Sequence, residues 1–205
     1  MSTNHHPDDA TIMAYAAGTL PEGFTLVLAA HLESCPRCQE RVAEAQALGG
    51  QLLAALAPAS LPSGGLAEVW ERIEAVPAAE PTRRRAAAWD GIPGVLAPYL
   101  DSDLDGIPWR SLVPGIRQHV LEGVASGNGS VRLLAIAPGF TIPHHSHRGG
   151  ELTLVLRGSY TDEIGRFRGG DLADLDSSVR HQPVADTDEP CICLIATDDR
   201  LRFSG

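Results

Sequence analysis

The spacing of one histidine and two cysteines constrains the N-terminal half more than any other feature of the chain. These residues form the string His31-x3-Cys35-x2-Cys38, in which Pro36 follows the first cysteine. Proline favours the first position of a helix, so Cys35 is predicted to cap a helix whose first turn carries Cys38. The partial positive charge of a helix N-terminus favours the thiolate that a zinc ligand must be. The string therefore predicts a metal site where two helices meet.

A fourth ligand is needed, because zinc in structural sites prefers a tetrahedron. His5 and His6 both lie just before the first predicted helix. His6 is the preferred candidate because it abuts Pro7 and would tie the first helix to the next two, and His5 is the alternative. A closed Cys2His2 shell has no open position, so the site is predicted to be structural rather than catalytic. A redox pair of cysteines and a chance spacing are the other interpretations of the CxxC.

Apolar periodicity and helix-end residues predict four helices in the first 80 residues. They are predicted from Pro7 to the stop at Gly18, from about Pro21 to His31, from Pro36 to about Leu48 with a continuation over 51–57 left open, and from Leu66 to Val76. The fourth helix is amphipathic. Its apolar face, formed by Leu66, Val69, Trp70 and Ile73, either packs on the core or faces a partner.

The pattern changes near residue 107, where short apolar runs begin to alternate with glycine, asparagine, aspartate and proline turns. Such spacing is typical of an all-β sandwich or barrel. The segment before it is rich in proline, alanine and arginine and is predicted to be an extended linker. The predicted fold class is therefore two domains, α then β, with a helical zinc-binding domain over 1–80, a linker over 81–104 and a β-domain over 105–205.

A second set of metal-binding side chains lies in the β half. His145 and His147 are two residues apart, so on a strand they point to one face. Glu151 follows a short turn that can fold it back onto this face, and His181 arrives from another strand. Three imidazoles and one carboxylate suit Zn²⁺, Fe²⁺, Mn²⁺, Ni²⁺ or Cu²⁺, so the set predicts a second metal centre of open identity.

Charge and hydropathy limit the compartment and the partners. The formal net charge is −10, and both halves are acidic, which argues against direct nucleic-acid binding and suits a basic protein partner. No stretch approaches the roughly 18 apolar residues of a membrane span, and the N-terminus is polar, so we expect a cytoplasmic protein without a signal peptide. Cys191 and Cys193 are expected to be reduced there and are interpreted as small buried hydrophobes, with an oxidant target as the alternative.

The N-terminal string resembles the signature of the zinc-binding anti-sigma domain family, which also has an N-terminal histidine, met here by His6. The resemblance implies a zinc-bound bundle of three helices and a fourth helix, here Leu66–Val76, that packs against a sigma factor. It further implies that the domain inserts between the two conserved regions of a group IV (ECF) sigma factor and blocks its contacts with RNA polymerase.

The C-terminal set resembles the two sequence motifs of the cupins. The first, G-x5-HxH-x3-E-x6-G, is matched at every defined position from Gly139 to Gly158, and the second at Gly170 and His181. Three positions of the second motif depart from the pattern: Asp176 replaces proline, Ser178 replaces glycine and Ala185 replaces asparagine. The resemblance implies a small cupin β-barrel, or jelly roll, that binds a metal.

A zinc-binding anti-sigma motif followed by the cupin motifs resembles the ChrR family. Its members are zinc anti-sigma factors linked to the bacterial response to singlet oxygen. The resemblance covers nearly the whole chain and implies a regulator rather than an enzyme. It implies two zinc ions per chain, with the second metal less certain, held by His6, His31, Cys35 and Cys38 and by His145, His147, Glu151 and His181. It also implies that the helical domain inhibits the sigma factor and that the cupin triggers release in response to singlet oxygen or a derived oxidant. The alternative is a dioxygenase-like cupin metalloenzyme with a zinc-stabilised helical appendage.

Overall fold

The computed structural model describes residues 3–60, 63–77, 89, 91–125, 128–146, 149–199 and 202–203. Within these ranges the helices precede the strands, which confirms the predicted fold class. The helices are α1 (Asp9–Ala16), α2 (Glu22–Leu32), α3 (Pro36–Ala54) and α4 (Gly65–Ala75), followed by a 3₁₀ helix over Gly94–Tyr99. No helix in the described part of the chain is long and apolar enough to cross a bilayer.

The ends of the first helices follow from local chemistry. The Asp8 carboxylate accepts the Thr11 N–H at 2.6 Å and caps α1, so the helix begins at Asp9 and the prediction of Pro7 as its first residue is wrong. Gly18 has a φ of 69°, which ends this helix as predicted. Cys35 occupies the N-cap of α3, and Pro36 is its first residue, as the sequence predicted.

The third helix is longer than its central glycines suggest. It continues through Gly49 and Gly50 to Ala54, so the continuation that the sequence left open is present. Each glycine costs a helix about 1 kcal/mol relative to alanine, which the good helix formers on either side offset. The end of α3 carries exposed leucines at positions 48, 52 and 53, and Leu56, just after the helix, is exposed as well.

The β half is built from antiparallel strands. They are β1 (Arg110–Val113), β2 (Ile116–Val120), β3 (Ser130–Ile136), β4 (His145–Ser146), β5 (Glu151–Arg157), β6 (Ser159–Thr161), β7 (Arg166–Arg168), β8 (Leu172–Leu175), β9 (Arg180–His181), β10 (Val184–Ala185), β11 (Cys191–Thr197) and β12 (Arg202–Phe203). They form one sheet of order β1-β2-β3-β11-β5-β8 and two smaller sheets, β10-β6-β7 and β12-β4-β9. This arrangement is the expected cupin-like barrel, in which inward-facing residues fill or line the interior.

The helical and β halves share one hydrophobic core. Helix α2 is buried against strands β5 and β11, and its Val27 and Leu28 are fully buried beside Leu154 and Leu194. Complete burial of one such aliphatic side chain contributes about 1.5–3 kcal/mol. The units predicted as 1–80 and 105–205 are therefore packed together through α2.

Much of the segment predicted as a linker is part of this core. Leu96, Leu100 and Leu104 are buried, and the Glu33 carboxylate accepts the backbone N–H of Gly94 at 2.7 Å. The prediction of an extended linker over 81–104 is therefore wrong for 91–104, because leucines within a proline- and alanine-rich stretch find partners on α2 and the sheet. Residues 81–88 and 90 lie outside the described residues.

Helix α4 leaves its apolar face in solvent. Leu66, Val69, Trp70 and Ile73 are 72%, 49%, 59% and 58% exposed. The interpretation of this stripe as core-facing is wrong for this chain, which leaves the partner-facing interpretation. Contiguous exposed apolar surface of this kind marks interaction sites.

Candidate metal centres

Four side chains converge where α2, α3 and the N-terminal segment meet. They are His6, His31, Cys35 and Cys38, whose ligand atoms all lie within 4.8 Å of one another. The His6 Nδ1 lies 3.4 Å from Cys35 Sγ and 3.3 Å from Cys38 Sγ, and the His31 Nε2 lies 3.3 Å from Cys38 Sγ. Ligands of a tetrahedral zinc ion are about 3.3–3.8 Å apart, so these separations fit Zn²⁺.

Local structure positions each member of this cluster. His31 lies in the last turn of α2, Cys35 caps α3, and Cys38 follows in its first turn. His6 comes from the extended residues before α1, whereas His5 turns away and stacks on Phe167 with 4.1 Å between ring centroids. Of the two candidates for the fourth position, the structure brings His6 to the thiols.

Burial controls the protonation of the cluster. It raises the pKa of the Cys38 thiol to about 11, with the neighbouring Cys35 thiol adding to the rise. Burial also lowers the pKa of His6 and of His31, which keeps both imidazoles neutral and able to bind a metal. Burial therefore favours the thiol form of Cys38 in the metal-free cluster, although this residue lies in the first turn of α3. A bound cation would supply the missing stabilisation, which is what a Cys2His2 zinc site provides.

The second candidate centre brings two of its four predicted residues into contact. His145 and His181 are paired between β4 and β9, with their Nε2 atoms 3.1 Å apart. His145 donates its Nδ1–H to the Pro143 carbonyl at 3.0 Å, and His181 donates its Nδ1–H to the Asp162 carboxylate at 2.9 Å. Both Nε2 lone pairs then point at one position, which suits a shared cation.

The other two predicted residues of this centre are Glu151 and His147. Glu151 is buried in the wall of the same cavity, where its carboxylate accepts the Thr153 hydroxyl at 2.8 Å. His147 lies outside the described residues. Among the residues that the structure describes, only the N-terminal cluster has three or more ligand atoms within 4.8 Å of each other. The structure therefore places Glu151 near the histidine pair without drawing it into a comparably tight group.

A polar turn replaces the proline and glycine that are missing from the second cupin motif. The Asp176 carboxylate accepts the Ser178 N–H at 2.8 Å, and the Val179 N–H is donated to the Asp176 carbonyl at 3.2 Å. Such an Asx turn reverses the chain without proline. The departures from the motif therefore leave His181 in place.

The histidine pair opens onto a cavity of about 740 Å³. Most of its lining is apolar, contributed by side chains such as Ile116, Ile136 and Ile195. Cys193 also lines it, and its sulfur lies 3.6 Å from the buried Cys191 sulfur. Both cysteines are fully buried among aliphatic side chains, as expected for small hydrophobes in a core strand.

Three residues near the centres were not found by sequence reasoning. Asp162 orients His181, and although burial acts in the opposite direction, this hydrogen bond lowers the pKa of the Asp162 carboxyl. Tyr160 lines the cavity with a buried hydroxyl that has no hydrogen-bond partner among the described residues. Asp171 contacts the N-terminal segment. Single residues in turns and short strands carry no spacing pattern, so no signal in the sequence pointed to them.

Comparison with known proteins shows which family and which relatives the chain is similar to. The family described as the ChrR cupin-like domain matches residues 101–199. The anti-sigma-E factor ChrR of Cereibacter sphaeroides is 43% identical over 206 residues, which span 100% of this chain and 94% of that protein. The crystal structure of Rhodobacter sphaeroides SigE in complex with the anti-sigma ChrR matches with a TM-score of 0.78 and 43% identity, covering 96% of this chain and 100% of that chain.

Fold and sites together define a class: a helical module with a Cys/His metal cluster joined to a cupin-like β-domain. The full-length relative narrows this class to one family. The chain belongs to the ChrR family of anti-sigma factors.

Proposed function

We propose that this chain is an anti-sigma factor that binds an ECF-type (group IV) sigma factor and keeps it from RNA polymerase. The observation that carries the proposal is the 43% identity to an anti-sigma factor over the whole length of the chain. The structural match to an anti-sigma factor in complex with its sigma factor supports it further. In this role the chain is a regulator and not an enzyme, and it works in the cytoplasm because transcription takes place there.

The binding surface in this proposal is the exposed apolar face of α4 together with the exposed leucines at and just after the end of α3. Trp70 is its best anchor, because tryptophan is enriched among the side chains that dominate binding energy. The net charge of −10 favours a basic partner surface and disfavours DNA, so the chain acts on transcription through protein contact alone.

The metal part of the proposal is two zinc ions per chain. His6, His31, Cys35 and Cys38 would hold the first, which would fix α1, α2 and α3 relative to each other. His145, Glu151 and His181 would hold the second together with His147, the residue that the cupin motif adds. The first is a closed structural site, and the second faces a cavity.

The regulatory part of the proposal is that the cupin centre triggers release of the sigma factor in response to singlet oxygen or a related oxidant. Imidazole reacts readily with singlet oxygen, and His145 and His181 lie side by side at the cavity. Loss of either ligand would loosen the centre and the strands that carry it. A His145→Ala/Glu151→Ala variant is expected to bind the sigma factor normally and to lose the oxidant response.

Co-purification tests the binding proposal directly. The chain is expressed with an ECF sigma factor, and the complex is isolated and analysed for stoichiometry and for zinc. We expect one sigma factor and two zinc ions per chain, and a Trp70→Ala variant that folds normally but binds at least about 30-fold more weakly. Arg110→Ala, on the exposed edge strand β1, is the matched control and should bind normally. Failure of the unaltered chain to bind any ECF sigma factor would overturn the proposal.

The second candidate is a cupin metalloenzyme, and the cavity favours it. A pocket of about 740 Å³ with apolar walls and a histidine pair at one side has the size and chemistry of a small-molecule site. Turnover of a small organic substrate by the Fe²⁺-loaded chain, abolished by His181→Ala, would support this function over regulation.

A further inference from the structure

The cupin half forms a hydrogen bond with His31, one of the predicted zinc ligands, through the ring nitrogen that does not face the thiols. His31 donates its Nδ1–H to the carbonyl of Gly170 at 2.9 Å, in the turn before β8. This bond fixes the tautomer, so the Nε2 lone pair is the one directed toward the thiol of Cys38. The outer partner of a metal-bound histidine sets the orientation and basicity of its ring. One ligand of the helical module therefore depends on a backbone group of the cupin.

A buried carboxylate of the cupin holds the chain just before His6. Asp171 is 1% exposed, and its Oδ1 accepts the N–H of Asn4 at 2.6 Å and of His5 at 3.1 Å. Its Oδ2 accepts the Arg168 N–H at 2.9 Å, which anchors the carboxylate within its own turn. The Leu172 N–H is donated to the His5 carbonyl at 3.2 Å, so this short stretch pairs with the start of β8. The residue that precedes His6 is thus held on both its backbone polar groups.

Packed rings link the same stretch to the cavity. The ring of His5 stacks on Phe167 at 4.1 Å, and Phe167 stacks in turn on Tyr160 at 4.9 Å between centroids. Phe167 is buried, and Tyr160 lines the cavity next to the histidine pair. A displacement of Tyr160 would therefore move Phe167 and, through the ring contact, His5, which is adjacent to His6.

We propose that the cupin segment 167–171 is the outer shell of the N-terminal metal site, with Asp171 as its positioning residue. The zinc affinity of the helical module then depends on the state of the cupin, and the dependence is reciprocal because coupling between two binding equilibria is symmetric. The proposal rests on the zinc-binding part of the proposed function and not on capture of a sigma factor.

The test uses the full chain with Asp171→Asn, which keeps the size of the side chain and removes its charge and one acceptor. Zinc affinity is measured by competition with a chromophoric chelator. Cobalt substitution isolates the N-terminal site, because only thiolate ligands give a sulfur-to-metal charge-transfer band. We expect a loss of about 10- to 100-fold in affinity at the thiolate site, the range for removal of an outer-shell partner. The cobalt band should also shift, which a purely structural tie between the halves would not cause.

A matched control is Asp186→Asn, a cupin carboxylate that accepts hydrogen bonds from the Ser159 and Thr161 hydroxyl groups, both within the cupin half. It should leave the thiolate site unchanged. Phe167→Leu is a second variant that keeps the backbone clamp and removes the ring stack. It should weaken zinc by about 2- to 10-fold, the equivalent of a lost aromatic pair.

Each outcome decides a separate point. A folded Asp171→Asn chain with the zinc affinity and cobalt spectrum of the unaltered chain would overturn the inference. If Asp171→Asn fails to fold, an unchanged thiolate site in Phe167→Leu would overturn it instead. If the unaltered chain binds no zinc, or if a Cys35→Ser/Cys38→Ser variant still binds two zinc ions, the metal part of the proposed function fails rather than this inference.

Discussion

The two candidate metal centres differ in how they meet the rest of the molecule. The N-terminal cluster lies at a junction of helices, and its cysteines pack against Ile12 and Val42 in a very small core of their own. The cupin pair, His145 and His181, lies at the wall of a large cavity lined by side chains from the sheet. The first arrangement suits a metal that is part of the fold, and the second suits a metal that small molecules can approach.

Both centres orient a histidine by the same kind of hydrogen bond. In each, a ring Nδ1–H is donated to an oxygen and the Nε2 faces the metal position. The oxygen is the neutral carbonyl of Gly170 for His31 and the carboxylate of Asp162 for His181. A charged acceptor makes the imidazole more basic, so we expect the cupin centre to depend more strongly on its outer shell.

The largest expected difference between the two centres is the effect of removing one thiol ligand on zinc content and on the fold. Cys38→Ser is expected to abolish zinc binding at the N-terminal site and with it the fixed packing of α1 and α3. Structural zinc contributes about 10–16 kcal/mol in small domains, and the core around Ile12 and Val42 is too small to replace it. Zinc content and the far-ultraviolet circular dichroism of the chain measure this.

The control for this experiment is His145→Ala, which should lose metal only from the cupin and keep the helical signal. A Cys38→Ser chain with the full helical signal and the same resistance to denaturant as the unaltered chain would show that the first centre is not structural.

The two centres should also respond differently to pH. Burial holds the pKa of the metal-free Cys38 thiol at about 11, so zinc must displace a proton from it at any ordinary pH. Affinity at the thiolate site should therefore fall as pH falls, by up to about tenfold per unit from the Cys38 proton, throughout the range from about pH 9 to about pH 6. The predicted cupin ligands are imidazoles and a carboxylate, so metal binding there displaces no thiol proton and should lack this steep dependence.

Chelator competition at several pH values, with cobalt absorption to identify the thiolate site, measures both dependences. Equal slopes at the two centres above neutral pH would contradict the assignment of thiolates to one centre and imidazoles to the other.

The outer shell of the cupin centre offers the next test. Asp162→Asn removes the charge that His181 faces and is expected to weaken metal binding in the cupin by about 10- to 100-fold. The thiolate site should change much less, because Asp162 does not contact its ligands in the described structure. Isothermal titration with zinc, compared with Glu163→Gln on the adjacent exposed residue, measures the effect. A loss confined to the thiolate site would reverse the roles given to the two carboxylates.

How far the sequence predicted these centres depends on how local each feature is. The set His31, Cys35 and Cys38 lies across one helix–helix turn, so spacing alone predicted its convergence. His6 comes from a distant part of the chain, and its choice over His5 depended on the position of a neighbouring proline. His145 and His181 lie together, as the motif predicted, even though the turn before His181 uses different residues. The prediction from strand parity depends on His147, which lies outside the described residues.

Features that depend on long-range packing escaped prediction. Leu96 and Leu100 lie in a stretch whose proline and alanine content is typical of a linker, and only the neighbouring helix and sheet make them core residues. Asp171 bonds to a backbone group 166 positions away, and no local pattern signals that contact. The packing of α2 against the sheet, as well as against its helical neighbours, is a long-range contact of the same kind.

The smallest effect tests how much helix propensity can do for the N-terminal half without metal. Gly50 lies within α3, and an added Cβ would meet nothing within 4 Å. Gly50→Ala should therefore stabilise the helix by about 0.5–1 kcal/mol, through reduced freedom of the unfolded chain. Introduced into the Cys38→Ser background, this gain is far below the free energy that zinc supplies, so the helical signal should stay low. Recovery of that signal by Gly50→Ala, followed by circular dichroism during urea titration, would mean that the metal of the first centre contributes only marginally to the fold.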